Sequence, residues 1–310
     1  MLTTLSGLAL SRFCFGTMQF GGGSDLETSR AIYDLCRSHN INHFDTAHSY
    51  TGGLSEEWLG AFLKNERDQI FVSSKVGYRG GADPVNMTAQ LEKSRKRLNQ
   101  DVIDLLYLHR FDQNTPIEKT LGWFLDQMRH QRIRYVGLSN FAAWQITQAC
   151  FLGQQHGLKI SAVQPMYSLV KRQAEVEIFP ACAEFGIDCF SYSPLGAGLL
   201  TGKYSSANGE GRLASDARYA KRYGSPEMHT CANALNEIAK RYDIPAATLA
   251  VAWILKSRYR PTPIISAKTC EQMTPVLKAL DFELSEQIES EINAISPKPT
   301  PATDRLEEQE

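Results

Sequence analysis

Eight short apolar runs recur along the chain, each bounded by polar or glycine-containing turns. They are "RFCFG" (12–16), "INHFD" (41–45), "IFVSSK" (70–75), "VIDLLYLH" (102–109), "RYVGLS" (134–139), "SAVQP" (161–165), "DCFSYS" (188–193) and "PIISA" (263–267). Runs this short and this continuous read as strands buried on both faces, as in a parallel sheet. Between them the period changes to that of a helix. Ile117, Thr120, Leu121, Phe124, Leu125 and Met128 follow the i, i+3, i+4 stripe of an amphipathic helix. Ala31, Ile32, Leu35 and Cys36 form a second stripe, and Leu284, Ile288, Ile292 and Ile295 a third. Repeated strand–helix alternation predicts an α/β fold, a (β/α)8 TIM barrel over residues 1–295, with residues 296–310 as a Pro-rich, charged C-terminal extension. The competing doubly wound open sheet announces itself by GxGxxG after its first strand. "FGTMQFGGG" lacks that spacing, and "GAGLLTG" (196–202) comes too late.

From Leu195 to about Pro226 the chain is rich in Gly, Ser, Lys and Arg and shows no long helical stripe. A connection of that length in a barrel is expected to close over a ligand.

Composition narrows the function classes. A formal net charge of -1 over 310 residues supplies no basic field for nucleic acid or an anionic membrane. Seven cysteines without a CxxC pair suggest free thiols in a reducing, cytoplasmic setting. The opening segment has no basic leader, and no run approaches the ~18 apolar residues of a membrane span. His43 and His48 lack a third ligand pattern, so no metal site is expected.

In a barrel, reactive groups stand at the C-terminal ends of the strands. Those ends carry Asp45 and Tyr50 after the second strand, Lys75 at the third and His109 at the fourth. They continue with Ser139 and Asn140, then Gln164 and Tyr167, then Tyr192 and Ser193. A phenol with pKa about 10 is a poor acid at neutral pH, and a nearby ammonium corrects that. Asp45 would keep Lys75 protonated, because an unpaired buried ammonium is costly. His109 could orient a carbonyl oxygen by hydrogen bonding. The set suits protonation of an oxygen that becomes an alkoxide when hydride reaches the adjoining carbon.

From about Leu5 to Leu280 the chain resembles the aldo-keto reductase superfamily. The matching segments are "GTM" (16–18), "FDTAHSYTGGLSEEWLG" (44–60), "SSKVG" (73–77), "DLLYLHRFD" (104–112), "RYVGLSNF" (134–141), "VQPMYS" (163–168), "YSPLGAGLLTGKY" (192–204) and "PIISAKTCEQM" (263–273). The resemblance is to the bacterial branch with a long seventh loop, which is also similar to potassium-channel β subunits. It implies reduction of aldehydes, ketones or sugar-derived carbonyls with NADP(H) as the favoured cofactor and NAD(H) as the alternative. Oxidation of a sugar, or a redox-sensing subunit of low turnover, are the other functions it allows. The channel branch departs from His at the position of His109, which favours the enzyme.

The same resemblance implies a catalytic tetrad of Asp45, Tyr50, Lys75 and His109, with Tyr50 as the acid. Gly16, Thr17 and Met18 would border the cofactor, with Tyr192 stacked on the nicotinamide and Ser139, Asn140 and Gln164 bonded to its carboxamide. Ser193, Leu195, Gly198 and Leu199 would line the pyrophosphate, with Lys203 and Arg212 clasping it. The chain departs from the family pattern at the last motif: Ser266 replaces a Gly, and Pro275 and Val276 stand where Glu and Asn usually hold the adenine end. Ser266, Lys268 and Gln272 are the remaining contacts expected there. Met18, Phe20, Tyr78, Phe111 and Phe141 are expected to wall an aromatic substrate pocket, with Arg79 and Arg110 nearby. Trp123, Trp144 and Trp253 fall in helical stretches and are expected to pack in the core or between helices.

Overall fold

The computed structural model describes residues 2–204 and 211–308. The chain divides into two compact units. One comprises Met1–Pro165, Ala181–Phe190 and Ile264–Met273; the other comprises Met166–Pro180, Ser191–Pro263 and Thr274–Glu310.

Eight strands close into one parallel barrel in chain order: β1 (Cys14–Gly16), β2 (His43–Asp45), β3 (Phe71–Val76), β4 (Ile103–Leu108), β5 (Ile133–Ser139), β6 (Ile160–Gln164), β7 (Asp188–Tyr192) and β8 (Thr262–Ile265). Closure is made by β1 against β8, with Cys14 opposite Ile264 and Phe15 opposite Ile265. Every residue of β1 to β4 is buried, as the continuous apolar runs predict. The strands end within two residues of the sequence expectation. In register, Gly16 lies opposite Asp45, Asp45 opposite Ser73, Lys75 opposite Tyr107 and Ser139 opposite Gln164.

The interleaved helices begin with α1 (Leu26–Ser38), α2 (Leu54–Leu63), α3 (Pro84–Leu98), α4 (Ile117–Arg129), α5 (Ala143–Gln155) and α6 (Ile178–Phe185). Local chemistry starts and stops them. Asp25 caps α1 by accepting the Thr28 amide at 2.8 Å. Asp83 caps α3, whose first residue is Pro84, and Asn99 ends α3 in the left-handed region. Phe20 is fully buried and packs on Phe15 (ring centroids 5.6 Å apart) and Phe62 (5.9 Å). This corrects its expected place in a substrate wall: aromatic partners on both sides hold it in the core. Burying such a ring contributes about 1.5–3 kcal/mol.

The second unit carries α7 (Arg212–Ser215), α8 (Ala217–Tyr223), α9 (Pro226–Tyr242), α10 (Ala246–Lys256) and α12 (Glu286–Ile295), and the end of α11 (Cys270–Leu277). The predicted long connection after β7 therefore contains a kinked 3-10 segment at Gly196–Thr201, interrupted at Ala197 and Gly198, and two short α-helices among its described residues. Tyr167 stacks on Trp253 at 5.4 Å, and the Trp253 indole donates to Asn293 at 2.9 Å. Arg172 bonds the carbonyl of Ser296, whose hydroxyl donates to Leu169 at 2.6 Å. Those bonds hold the chain at Ser296, where the sequence predicts a C-terminal extension to begin. Among the described residues no helix is long and apolar enough to cross a membrane.

Candidate active site

Alternation along β3 sorts its polar side chains. Ser73 and Lys75 face the side that Asp45 occupies, and Ser74 faces the other. The Lys75 side chain is fully buried, and its ammonium uses all three of its hydrogens. It forms an ion pair with Asp45 Oδ1, donates to the Thr46 carbonyl at 2.7 Å, and donates to the Tyr50 hydroxyl at 3.3 Å. Burial alone would lower the Lys75 pKa. The charge of Asp45 and the contact with Tyr50 outweigh it and hold the pKa above the ordinary value.

Asp45 has further partners that the sequence did not reveal. Its Oδ2 accepts from the Ser73 hydroxyl at 2.8 Å and from the Gln164 amide at 3.0 Å. Gln164, the residue expected on a cofactor carboxamide, reaches this carboxylate through one hydrogen of its Nε2. Only the presence of a hydroxyl two residues before Lys75 could have signalled Ser73.

His109 follows β4 and is buried. Its amide donates to Val76 at 2.8 Å, and its carbonyl accepts from Asn140 Nδ2 at 3.0 Å. Its ring lies edge-on to Tyr50 at 6.0 Å and against Tyr78 at 4.8 Å. Burial, then the charges of Lys75 and Arg110, push its pKa down to about 3, so the imidazole is neutral at ordinary pH. Its Nδ1 is buried without a hydrogen-bond partner. A neutral imidazole and a phenol that itself accepts from a paired ammonium can donate hydrogen bonds to a carbonyl oxygen and deliver a proton to it.

The other expected residues distribute as follows. Gly16 ends β1 where a side chain would meet Ile264 at 2.9 Å. The Thr17 hydroxyl is occupied by the Asp45 carbonyl (3.1 Å) and Ser55 (2.7 Å), and Met18 is partly exposed. Ser139 donates to the Gln164 carbonyl at 3.3 Å, and Asn140 adopts a positive φ of 59°. The Ser266 hydroxyl is buried and unpartnered. Lys268 is exposed, and its backbone is held at both ends: its amide donates to Gln272 Oε1 at 3.0 Å and its carbonyl accepts from Ser24 at 2.8 Å.

In the second unit, Tyr192 ends β7 and its carbonyl accepts the Tyr167 amide at 3.2 Å. Ser193, Gly196, Ala197 and Gly198 all take positive φ, and Leu195 accepts the Gly198 amide at 2.9 Å. Leu199 is buried. The φ of 93° at Gly198 favours glycine, and the end of the Lys203 side chain lies beside it, its Nζ 2.8 Å from where a Cβ would stand. The side chain of Arg212 lies outside the described residues. Val276 is buried and the Pro275 carbonyl accepts from Thr248 at 2.6 Å, so neither offers a polar side chain to an adenine.

In the first unit, the unpartnered Ser266 hydroxyl and His109 Nδ1 are polar atoms that the protein itself leaves unsatisfied, as a bound nicotinamide dinucleotide would require. In the second unit, a left-handed turn beside an ammonium is chemistry that suits phosphate oxygens.

Two aromatic expectations are settled differently by burial. Trp123 and Trp253 are buried, whereas Trp144 is 62% exposed and meets Phe111 edge-on at 5.7 Å. Trp144 is therefore a surface ring, not an inter-helix packer. Phe111 also packs edge-on against the buried Phe141 at 5.5 Å.

Comparison with known proteins follows the same lines. The model of the aldo/keto reductase family matches residues 12–297. The chain is 32% identical over 315 residues to an uncharacterized oxidoreductase, YrpG, of Bacillus subtilis (strain 168), covering 95% of this chain and 94% of that one. It is 31% identical to a probable voltage-gated potassium channel subunit beta of Oryza sativa subsp. japonica, covering 89% of each. It is 30% identical to an L-glyceraldehyde 3-phosphate reductase of Escherichia coli (strain K12), covering 89% of this chain and 86% of that one. A parallel barrel whose strand ends bring Asp45, Lys75 and His109 around one phenol, in a chain matched to the family over nearly its whole length, is that of an oxidoreductase belonging to the aldo/keto reductase family.

Proposed function

We propose that the protein reduces aldehydes and other small carbonyl compounds with NADPH, and that Tyr50 is the acid. The bound cofactor supplies the hydride; the remaining chemistry falls to the chain. One observation carries the reading: the buried Lys75 ammonium binds Asp45, a backbone carbonyl and the Tyr50 hydroxyl at once. When Tyr50 gives its proton to the substrate oxygen, the phenolate left behind lies 3.3 Å from a positive charge. At an effective dielectric of 20 that attraction reaches about 5 kcal/mol before desolvation is subtracted. Asp45 keeps the ammonium charged through the cycle, and Ser73 and Gln164 hold the Asp45 carboxylate in place through its Oδ2. Neutral His109 donates a ring hydrogen to the carbonyl oxygen and sets its direction.

The preference for NADPH rests on Lys268. Its backbone is pinned by Ser24 and Gln272, while its ammonium is exposed. With Gln272 and Ser266 it is the group offered to a ribose phosphate, since Pro275 and Val276 offer none. Tyr192 is assigned to the nicotinamide, and the turn from Ser193 to Leu199, with Lys203, to the pyrophosphate; the left-handed backbone and the ammonium beside it support that assignment.

Tyr50→Phe tests the reading, because it removes one hydroxyl and little volume. Reduction of an aldehyde is expected to fall at least ~100-fold, with cofactor affinity little changed. Near-normal kcat in the variant would rule Tyr50 out as the acid.

A further inference from the structure

Tyr50 sits on a backbone that needs holding. It opens a short turn, Tyr50–Gly53, in which Thr51 (φ 46°, ψ 38°), Gly52 (φ 67°) and Gly53 (φ 113°) are all left-handed. Three successive residues in that region are unusual, and a β-branched Thr among them is a steric outlier. Thr51 is tied down through its hydroxyl, which donates to the Phe20 carbonyl at 2.8 Å and accepts from the Ser55 amide at 3.0 Å. The carbonyls on either side of Tyr50 are held from elsewhere.

That partner is Arg97, in the last turn of α3. Its guanidinium donates to the His48 carbonyl and the Gly52 carbonyl, both at 3.1 Å, two residues before and two after Tyr50. A third contact runs to Glu56 Oε2 at 3.3 Å. The Glu56 side chain is fully buried, and its other oxygen accepts from the Ser74 hydroxyl at 2.8 Å. Ser74 immediately precedes Lys75. One guanidinium thus bridges the loop that carries the phenol and, through Glu56, the strand that carries the ammonium. Gly53 belongs to the same arrangement, because a Cβ there would come within 2.4 Å of the Arg97 guanidinium carbon.

We propose that Arg97 is a positioning residue for proton transfer: its fork on His48, Gly52 and Glu56 sets the distance between Tyr50 and Lys75. The proposal rests on Tyr50 being the acid. A planar fork is required, since a lysine offers one point of charge and cannot span two carbonyls and a carboxylate. Misplacing a reacting group by about 1 Å can cost ~100-fold in rate.

The test is a double-mutant cycle in the full-length protein: Arg97→Met, Arg97→Lys, Tyr50→Phe and each combination. Readouts are kcat for an aldehyde, nicotinamide-cofactor Kd by fluorescence titration, and thermal midpoint. Arg97→Met is expected to lower kcat about 10- to 100-fold. Cofactor Kd should stay within about 2-fold, which a general loosening of the barrel would not allow. In the Tyr50→Phe background the same change should cost less than about 3-fold, because the group being positioned has already lost its proton. Arg97→Lys should recover little, its charge being present without the fork. Should Arg97→Met fail to fold, Arg97→Lys alone completes the cycle with the same expectations. Equal, multiplying losses in both backgrounds, or an unchanged kcat, would overturn the role of Arg97 while leaving the acid assignment intact. A Tyr50→Phe protein of near-normal kcat would overturn both.

Discussion

Lys75 donates to Asp45 and to Tyr50 from one ammonium, so a buried carboxylate and a phenol share a single nitrogen atom. Under the proposed mechanism stability and chemistry both pass through Lys75, and substitution can separate them.

Lys75→Met is expected to abolish measurable reduction and to destabilise the fold by about 3–5 kcal/mol, because Asp45 is left buried and unpaired. Adding Asp45→Asn removes the orphaned charge. The double variant should regain most of the thermal stability and none of the activity. A double variant no more stable than Lys75→Met would show that the ion pair is not what the fold depends on.

Lys268→Ala is expected to weaken NADPH about 10- to 150-fold while leaving NADH unaffected, as loss of one charge-assisted phosphate contact worth ~1.5–3 kcal/mol requires. Equilibrium titration with both cofactors decides it. Equal loss for both, or tighter native binding of NADH, would return Lys268 to a structural role beside Ser24 and Gln272.

The exposed face of Trp144, edge-on to Phe111, is the aromatic surface that follows β4 and β5. Broad reduction of aldehydes is expected across glyceraldehyde, methylglyoxal and 4-nitrobenzaldehyde, with ketones poorer. Trp144→Ala should lower kcat/KM for 4-nitrobenzaldehyde about 2- to 10-fold and leave glyceraldehyde unchanged, an aromatic pair being worth ~0.5–1.5 kcal/mol. A single sugar preferred by orders of magnitude, with the aromatic aldehyde inert, would replace this picture with a sugar dehydrogenase.

Acid should unfold the protein partly through its buried histidines. His43 lies edge-on to Phe71 (4.9 Å) and Phe190 (4.7 Å), and Nε2 bonds the Ser73 hydroxyl at 3.1 Å. Burial, then the charge of Lys75, lowers its pKa to about 3, against about 6.5 when unfolded. Between those values the unfolded chain binds a proton that the native chain does not. Stability is therefore full above about pH 6.5 and declines as pH falls toward about 3. His43→Gln keeps a hydrogen-bonding side chain and removes the titration. Its thermal midpoint should drop less than the wild-type midpoint between about pH 7 and about pH 4.5. Identical drops would exclude His43 as a source of the acid sensitivity. His109, also near 3, predicts that the pH–rate profile shows no ionisation at the ordinary imidazole value.

The strand ends were legible in the sequence because a strand buried on both faces must be written in apolar residues, so a polar residue marks where it emerges. Asp45, Lys75, His109, Ser139 and Gln164 all stand at such exits, and the barrel confirms each position to within a residue or two. Periodicity also names the buried side of a helix, as for Ile117 to Phe124. It cannot name what covers a ring, which is why Phe20 was expected in a wall and Trp144 between helices. The closure of the barrel decided those two. It also decided the partners of the site. Gln164 reaches Asp45 across 119 residues of chain, and Arg97 reaches Glu56 across 41 and Gly52 across 45. A hydrogen bond between groups so distant in the chain leaves no periodic trace in either segment. Its distance and direction exist only once the strands have a register and the helices have packed.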